Sequence, residues 1–548
     1  MNSSRREFFR TAAAGVACAG ALRSAASDSS IEVLIGEPIA TIAPEIYGHF
    51  VENLGGVIYD GIWVGADSAI PNVGGLRKQL VDALQRINPP VIRWPGGCFA
   101  DSYDWRDGIG PRDKRPRRTN FWAAADEWPK NARRTGPQIY DPNQLGTIEF
   151  AQFCKAVGAQ PYFASNLRGS TAQDFDRWVE YCNSPAGSTT LADQRAADGE
   201  REPLNVRYWG VGNEAWGCGG SFTPADYATE FLRYIAWVPG YGMPLALVGS
   251  GPNGNDLDWT RGFFSKVARK GALGRMWGWS MHHYAWNASG GRTSDWMAGK
   301  GSALRFDAAQ YYEILREANQ METFITSQWA AMGETDRLHR VKLVVDEWGA
   351  WYAPGTEPFA EALLGQQSTM RDAVVAGMTL DTFNRHADKI GMAAVAQLVN
   401  CLQSLFFAHE GQFCLTPTYH VFDMYRAHQK AQSLRTSVSA PAISFARAGG
   451  TGSLPGLSCS ASLHDKALTL TITNLSLDQA RQVEIGLRGA SITAARAVTL
   501  AAADAHAHNS FENPHAVEPR AEQVRAGGAK LVRVCAPASV TKLELTLG

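Results

Sequence analysis

Two glutamates far apart in the sequence each end an apolar run and could share one reaction. Glu214 closes "VRYWGVGNE" (206–214), and Glu347 lies near the end of "VKLVVDEW" (341–348). Retaining glycoside hydrolysis needs two carboxyl groups about 5–5.5 Å apart, one as nucleophile and one as proton donor. Either glutamate alone could also be a surface cap or half of a buried ion pair. As a pair, they predict glycoside hydrolysis if the fold brings the runs together.

Neighbouring residue types suggest which glutamate has which role. Arg93 and Tyr284 end two further apolar runs and could hydrogen-bond one carboxylate, which keeps it ionised as a nucleophile requires. Asn213 directly precedes Glu214, where its side chain could hold a sugar hydroxyl beside the scissile bond. We therefore predict Glu347 as the nucleophile and Glu214 as the acid/base.

Eight apolar runs alternate with helix-like segments along the chain. Continuous apolar strands separated by helices are typical of a parallel sheet that is covered on both faces. Eight such units predict the α/β class, as a (β/α)8 TIM barrel, rather than a doubly wound sheet, because no glycine-rich dinucleotide turn follows the first run. The runs are 45–52, 89–97, 159–167, 206–214, 245–251, 277–284, 341–348 and 393–400.

Polar residues follow the carboxyl ends of most of these runs. In a (β/α)8 barrel the loops at that face build the active site, so these side chains should converge there. Adjacent histidines in a strand point to opposite faces, so of His282 and His283 one is predicted to support the site and the other to pack. The converging residues are Glu52, Arg93, Asn166, Asn213, Glu214, His282, Tyr284, Glu347 and Gln397.

The two ends of the chain have a different character. Residues 435–548 include a Gly/Ser-rich stretch followed by segments that alternate between apolar and polar positions, which predicts an antiparallel β-sandwich of the jelly-roll type. Residues 27–44 read as a strand segment that pairs with this sandwich, which leaves 45–434 as the catalytic barrel. Residues 1–26 carry Arg5 and Arg6 before a short apolar stretch, the pattern of a twin-arginine export signal.

This signal predicts an exported bacterial protein, periplasmic or extracellular, although an ordinary basic N-terminus is the alternative. The net charge of −1 indicates neither nucleic acid nor, after signal cleavage, a membrane as partner. No CxxC motif or His/Cys cluster is present, so we predict no metal and no cofactor. The absence of G-x-S-x-G and H-E-x-x-H argues against esterase and metalloprotease chemistry.

Five sequence stretches resemble glycoside hydrolase family 51, the α-L-arabinofuranosidases. They are "YGHFVENLGGVIYDGIWVG" (47–65), "RWPGG" (93–97), "GVGNE" (210–214), "DEW" (346–348) and "AQLVN" (396–400). The resemblance covers almost the whole chain after residue 26. It implies a barrel followed by a β-sandwich, and an oligomeric assembly.

The resemblance also implies roles for individual residues. Glu214 matches the family's acid/base and Glu347 its nucleophile. Arg93 matches the arginine that lies near the nucleophile in the family. Other matched positions hold arabinofuranose hydroxyls or the nucleophile, or shape the sugar pocket. These substrate-binding residues are Glu52, Arg93, Cys98, Asn213, Tyr284, Trp351 and Gln397.

Cys98 departs from the family's pattern, because many members have a sugar-binding asparagine after "PGG". Cys218 lies just beyond the "GVGNE" stretch on the same face. We hypothesise that Cys98 and Cys218 form a disulfide that braces the pocket.

Together these observations predict a retaining exo-glycosidase that removes terminal α-L-arabinofuranosyl groups from arabinan- or arabinoxylan-type saccharides, and a homo-oligomer. Two alternatives stay open at this point. One is an endo-β-glucanase or β-xylosidase on the same barrel, and the other is a carbohydrate-binding protein without catalytic activity.

Overall fold

The computed structural model describes residues 28–125, 136, 139–293 and 295–548. The predicted export signal at 1–26 lies outside these described residues. The helices are α1 (Lys78–Ile87), α2 (Thr147–Val157), α3 (Ala172–Asn183), α4 (Thr190–Ala197), α5 (Pro224–Tyr234), α6 (Leu257–Arg269), α7 (Trp296–Gly299), α8 (Ala308–Gly333), α9 (Met370–Arg385) and α10 (Pro417–Tyr425).

Fifteen of the strands in the described residues lie between residues 29 and 415. They are β1 (Ser29–Thr41), β2 (Gly48–Phe50), β3 (Asn72–Val73), β4 (Leu76–Arg77), β5 (Val91–Trp94), β6 (Arg118–Thr119), β7 (Tyr140–Asp141), β8 (Gln160–Ser165), β9 (Tyr208–Val211), β10 (Ala246–Gly249), β11 (Gly278–Ala285), β12 (Lys342–Ala350), β13 (Ile390–Ala396), β14 (Phe406–His409) and β15 (Gln412–Leu415).

The remaining strands belong to the C-terminal part of the chain. They are β16 (Gln432–Ser439), β17 (Ile443–Arg447), β18 (Gly450–Leu454), β19 (Leu457–His464), β20 (Ala467–Asn474), β21 (Arg481–Arg488), β22 (Ile492–Leu500), β23 (Arg520–Val524), β24 (Lys530–Cys535) and β25 (Ser539–Leu547).

Eight parallel strands close into a barrel in the order β10-β11-β12-β13-β2-β5-β8-β9. Each of the eight predicted runs overlaps one of these strands, so the predicted barrel is confirmed. Strands such as β5 and β13 are buried along their whole length, because the barrel interior covers one face and helices cover the other.

The C-terminal region forms a nine-stranded sheet in the order β23-β22-β25-β20-β19-β16-β1-β21-β24. Its strands alternate between buried and less buried residues, as in β21, because one face packs on the core. The N-terminal strand β1 lies inside this sheet, antiparallel to β16 and parallel to β21. The sheet therefore contains one parallel pair of strands among otherwise antiparallel neighbours. The exact boundaries predicted for the domains stay a prediction.

Helix α9 joins the barrel to the C-terminal sheet and is buried on nearly every side. Its Asp381 accepts hydrogen bonds from the hydroxyls of Ser460 and Thr471, and Asn384 donates to the Ser460 oxygen. Buried polar groups need such partners, so these bonds fix how the sheet sits against the barrel. Among the described residues, no helix is both long and apolar enough to cross a membrane.

Candidate active site

The two glutamates from β9 and β12 meet at the mouth of the barrel. One carboxylate oxygen of Glu214, one of Glu347 and a ring nitrogen of His282 lie within 4.8 Å of one another. Retaining glycosidases hold their carboxyl groups about 5–5.5 Å apart, whereas inverting enzymes need about 6.5–9.5 Å to admit a water molecule. The spacing of Glu214 and Glu347 fits the retaining class.

Both oxygens of Glu347 receive a hydrogen bond from a rigid donor. Arg93 Nη1 donates to Oε1 at 2.7 Å, and the Tyr284 hydroxyl donates to Oε2 at 2.7 Å. Burial and the nearby Glu347 charge raise the pKa of Tyr284 well above its usual value, so this hydroxyl stays protonated. Glu347 is therefore held in one orientation with both oxygens engaged.

Arg93 also links the two halves of the site. Its Nη2 donates to Asn213 Oδ1 at 2.5 Å, next to Glu214. Burial opposes its charge, but Asp346 and Glu347 together raise the pKa of Arg93 above its usual value. A planar guanidinium can hold a carboxylate and an amide at once in a way that lysine cannot.

Glu214 lies in a different environment. It follows β9 with a φ of 40°, in the left-handed region that residues with a side chain rarely adopt. Its side chain is 20% exposed, whereas that of Glu347 is 8% exposed. Glu214, predicted from the sequence to be the acid/base, is thus the more accessible of the two carboxylates.

His282 lies beside both carboxylates. Its Nδ1 is 2.9 Å from Glu214 Oε1, and its Nε2 is 3.3 Å from Asp346 Oδ1. Burial lowers the pKa of this imidazole, but Glu347, Asp346 and Glu214 outweigh burial and raise it to about 10. The neighbouring His283 points the other way, with Nε2 2.7 Å from the Glu317 carbonyl oxygen on α8.

Glu52 and Gln397 line the same cavity from the ends of β2 and β13. Gln397 Nε2 donates to Glu52 Oε2 at 3.2 Å, and the backbone N–H of Phe99 donates to Oε1 at 2.9 Å. Burial, with the charge of Glu347, raises the pKa of Glu52 to about 7. Gln397 Oε1 is buried and accepts no hydrogen bond from the residues that the structure describes, so it can accept one from a ligand.

Two glycines keep this cavity open. A Cβ atom at Gly97 would stand 2.9 Å from Glu347 Oε1, and one at Gly96 would stand 2.8 Å from Glu52 Cγ. The backbone of the "PGG" turn therefore has to approach both carboxylates without a side chain.

Cys98 and Cys218 form a disulfide with a Cα–Cα distance of 5.6 Å, which confirms the hypothesised pairing. Both sulfurs lie within 4.8 Å of a Glu214 carboxylate oxygen. Cys98 consequently has no thiol proton to donate. It contributes to the wall of the cavity and to the anchoring of the loop after Glu214.

The aromatic wall comes from Trp351 and Trp122. The Trp351 ring packs edge-on against Tyr284 with centroids 5.1 Å apart, and Lys300 Nζ lies 3.8 Å from the Trp351 centroid. Trp122 Nε1 donates to Glu52 Oε1 at 3.1 Å. Trp122 was not predicted from the sequence as a site residue. It is the last residue of the basic stretch "GPRDKRPRRTNFW" (110–122).

Asp101 is the other residue that the sequence did not reveal. It is buried, and its carboxylate accepts the backbone N–H groups of Leu167 and Asn213. Burial raises the pKa of Asp101 to about 7 despite these donors. By contrast, Asn166 follows β8, donates to the Tyr103 carbonyl and accepts from the Gly169 N–H, so its side chain joins two loops.

Among the described residues, two side-chain groups have the composition of a metal site, namely Glu214 with His282 and Glu347, and Cys98 with Cys218 and Glu214. The chemistry of their donors does not suit a cation. The two sulfurs are bonded to each other, both Glu347 oxygens already accept hydrogen bonds, and the raised pKa of His282 favours its protonated form.

Comparison with known proteins gives consistent matches along the chain. Residues 83–237 match the alpha-L-arabinofuranosidase 1 domain, and residues 346–539 match the alpha-L-arabinofuranosidase C-terminal domain. An intracellular exo-alpha-L-arabinofuranosidase of Bacteroides ovatus is 36% identical over 95% of this chain and 96% of its own. An intracellular exo-alpha-(1->5)-L-arabinofuranosidase of Acetivibrio thermocellus is 31% identical over 68% of this chain and 70% of its own.

Solved structures agree with these matches. The GH51 arabinofuranosidase from Xanthomonas axonopodis pv. citri has a TM-score of 0.85 and 34% identity, over 95% of this chain and 100% of its own. An arabinose complex of the Thermotoga maritima alpha-L-arabinofuranosidase has a TM-score of 0.79 and 27% identity, over 95% of this chain and 100% of its own.

The predicted export was wrong, because the Bacteroides and Acetivibrio relatives are both named intracellular enzymes. Two adjacent arginines and a short apolar stretch are a small pattern, which an ordinary basic N-terminus also produces.

The closed barrel, the paired carboxylates at its mouth and the match to relatives over nearly the whole chain agree with one another. The chain belongs to the α-L-arabinofuranosidases of glycoside hydrolase family 51.

Proposed function

We propose that this protein is a retaining exo-α-L-arabinofuranosidase in which Glu347 is the nucleophile and Glu214 the acid/base. The observation that carries this proposal is the placement of oxygens of both carboxylates within 4.8 Å at the barrel mouth. The substrate contains arabinose, and we propose arabinan- or arabinoxylan-type saccharides with terminal, non-reducing α-L-arabinofuranosyl groups.

In the first step, Glu347 attacks the anomeric carbon while Glu214 donates a proton to the departing glycosidic oxygen. The bond to the leaving group breaks, and an ester forms between the sugar and Glu347. Arg93 and Tyr284 orient Glu347 for this attack through their 2.7 Å hydrogen bonds.

In the second step, the Glu214 carboxylate removes a proton from a water molecule, which attacks the same carbon. The ester bond breaks, Glu347 is released as a carboxylate, and arabinose leaves with its anomeric configuration retained. Glu52 and Gln397 lie where they can bind sugar hydroxyls, and the unpaired Gln397 Oε1 supports this role.

A panel of p-nitrophenyl glycosides, with the anomer of the released sugar followed by NMR, tests the proposal. We expect release from the α-L-arabinofuranoside with first formation of the α-anomer. Release only from the β-xyloside, hydrolysis of β-glucan, or binding without turnover would instead identify one of the alternative functions. Those alternatives are not favoured, because the glucanase–xylanase CelM2 is only 14% identical and shares the fold alone.

We also propose that the protein assembles as a homo-oligomer and that its partners include neither nucleic acid nor a membrane. The family resemblance supports the oligomer, and the net charge of −1 supports the exclusions. Light scattering coupled to size-exclusion chromatography tests the assembly. A single species of one chain mass would contradict it.

A further inference from the structure

A groove lined by arginines lies beside the barrel mouth, with a cavity volume of about 760 Å³. Its walls come from three separate segments: the loop after β11, helix α8, and the turn between β17 and β18. The lining side chains include Arg292, Arg316 and Arg447, together with Asn287. Neither the paired carboxylates nor the residues around them use this groove.

The guanidinium groups of Arg316 and Arg447 are held in place by one buried carboxylate. Arg316 Nε donates to Glu313 Oε2 at 2.9 Å, and Arg447 Nε donates to Glu313 Oε1 at 2.6 Å. The Glu313 side chain is only 2% exposed. Arg316 Nη2 donates to Glu317 and Arg447 Nη2 to the Gly290 carbonyl, whereas neither Nη1 has a hydrogen-bond acceptor within the described part of the chain, so both Nη1 atoms remain available to a ligand.

The charges in this groove do not cancel. Glu313 and Glu317 are the carboxylates that pair with Arg316 and Arg447. Arg292 is exposed and, among the described residues, forms no ion pair. Three cations against two carboxylates leave one positive charge in excess, in a concave site that favours an anion.

The groove is adjacent to the catalytic residues. Asn287 follows Tyr284 by three residues, which places their Cα atoms at most about 11 Å apart. Asn287 also pairs through its backbone with Lys300, whose Nζ lies over the Trp351 ring beside Tyr284. A saccharide whose terminal sugar lies at Glu347 could therefore extend into the groove.

We propose that this groove binds the carboxylate of an acidic sugar unit in the aglycone, so that the enzyme favours uronate-bearing arabinosides over neutral ones. The planar fork of Arg292 matches a carboxylate through two parallel hydrogen bonds, and Nη1 of Arg316 and of Arg447 can each add a further donor. The proposal rests on the function proposed above, because the acidic unit is defined relative to a terminal arabinose at Glu347.

The test compares kcat/KM for a neutral arabinoxylan oligosaccharide with kcat/KM for the same oligosaccharide carrying glucuronate. Arg292→Gln removes the unpaired cation without exposing the buried Glu313. We expect the acidic-to-neutral ratio to fall roughly threefold or more in Arg292→Gln, as for loss of one partly exposed charge contact. Arg269→Gln, on the outer end of α6, is the matched control and should leave the ratio at the wild-type value.

Direct binding separates this proposal from failure of the proposed activity. Calorimetry with a glucuronate-bearing xylooligosaccharide that lacks arabinose should show binding to the wild type and weaker binding to Arg292→Gln, even if no arabinoside is cleaved. Inorganic phosphate is the competing anion and should displace this ligand only weakly. An unchanged ratio in Arg292→Gln, or phosphate binding as tight as that of the saccharide, would overturn the proposal.

Discussion

The imidazole of His282 lies against the carboxylate of Glu214, the proposed acid/base, with Nδ1 2.9 Å from Glu214 Oε1. The same nitrogen is 3.5 Å from Glu347 Oε2, so one ring contacts both members of the carboxylate pair. The imidazole can therefore balance negative charge that would otherwise push the two carboxylates apart.

This contact predicts a pH dependence of stability. The pKa of His282 is raised from 6.5 to about 10 by Glu347, Asp346 and Glu214, against the effect of burial. A raised pKa adds stability that is complete below about pH 6.5 and is lost as the pH rises through about 10. Urea unfolding should therefore show the wild type losing stability over this range, and His282→Gln losing less. A variant at the exposed His464 should lose stability with pH as the wild type does. If His282→Gln also lost as much stability as the wild type over this range, the prediction would be contradicted.

The roles of the two glutamates predict opposite products with azide. Azide can occupy the space of a removed carboxylate and attack the sugar from that side. Glu214→Ala should lose about 10²- to 10⁴-fold in kcat and regain activity with azide, giving the α-arabinosyl azide. Glu347→Ala should give the β-azide instead. NMR of the products decides the assignment, and exchanged anomers would mean exchanged roles.

Removal of the tyrosine hydroxyl that binds Glu347, the proposed nucleophile, should slow the chemical step. Tyr284→Phe keeps the ring against Trp351 but removes the 2.7 Å hydrogen bond to Glu347 Oε2. We expect kcat to fall about 10²-fold with a nearly unchanged melting temperature, since one aligned donor in a dry site has an effect of this size. Tyr47→Phe is the control. It also removes a buried hydroxyl, but one that donates to Asn384 and not to Glu347. A fall in kcat as large in Tyr47→Phe would show a general effect of lost hydroxyls.

The "PGG" turn should not tolerate a methyl group. In Gly97→Ala the new Cβ would stand 2.9 Å from Glu347 Oε1, so the Glu347 side chain or the turn has to move. We expect kcat to fall by about 10²-fold, because displacement of a reacting group by about 1 Å has this consequence. Gly274→Ala adds the same methyl group where no atom lies within 4 Å, and it should behave as wild type. Wild-type kcat in Gly97→Ala would contradict the prediction.

The disulfide should stabilise the fold and the loop after Glu214. Cys98 and Cys218 are 120 residues apart, and closing so long a loop is expected to stabilise a protein by about 2–4 kcal/mol. The double variant Cys98→Ser/Cys218→Ser should show that loss in urea unfolding together with a lower kcat. Cys414→Ser, at a buried free cysteine, separates loss of the bond from loss of a thiol. Equal stability with and without a thiol reductant would contradict the prediction.

Local pattern was sufficient to predict the barrel and the pair of carboxylates at its mouth. Apolar runs such as 89–97 and 341–348 are continuous because both faces of each strand are buried, and that signal needs no knowledge of the fold. Once eight parallel strands are recognised, their carboxyl ends must share one face, so Glu214 and Glu347 must meet there.

The contacts among these residues were decided by the tertiary structure. Arg93 and Glu347 are separated by 254 residues, and His282 and Glu214 by 68, so barrel closure and register determine their distances. Asp101 and Trp122 likewise bind residues from other segments, and the arginine groove also joins distant segments. These segments share no local sequence pattern. Residue type and strand position thus determine which groups reach the barrel mouth. Their hydrogen bonds, and the pKa shifts that follow from burial beside other charges, exist only once the chain has folded around them.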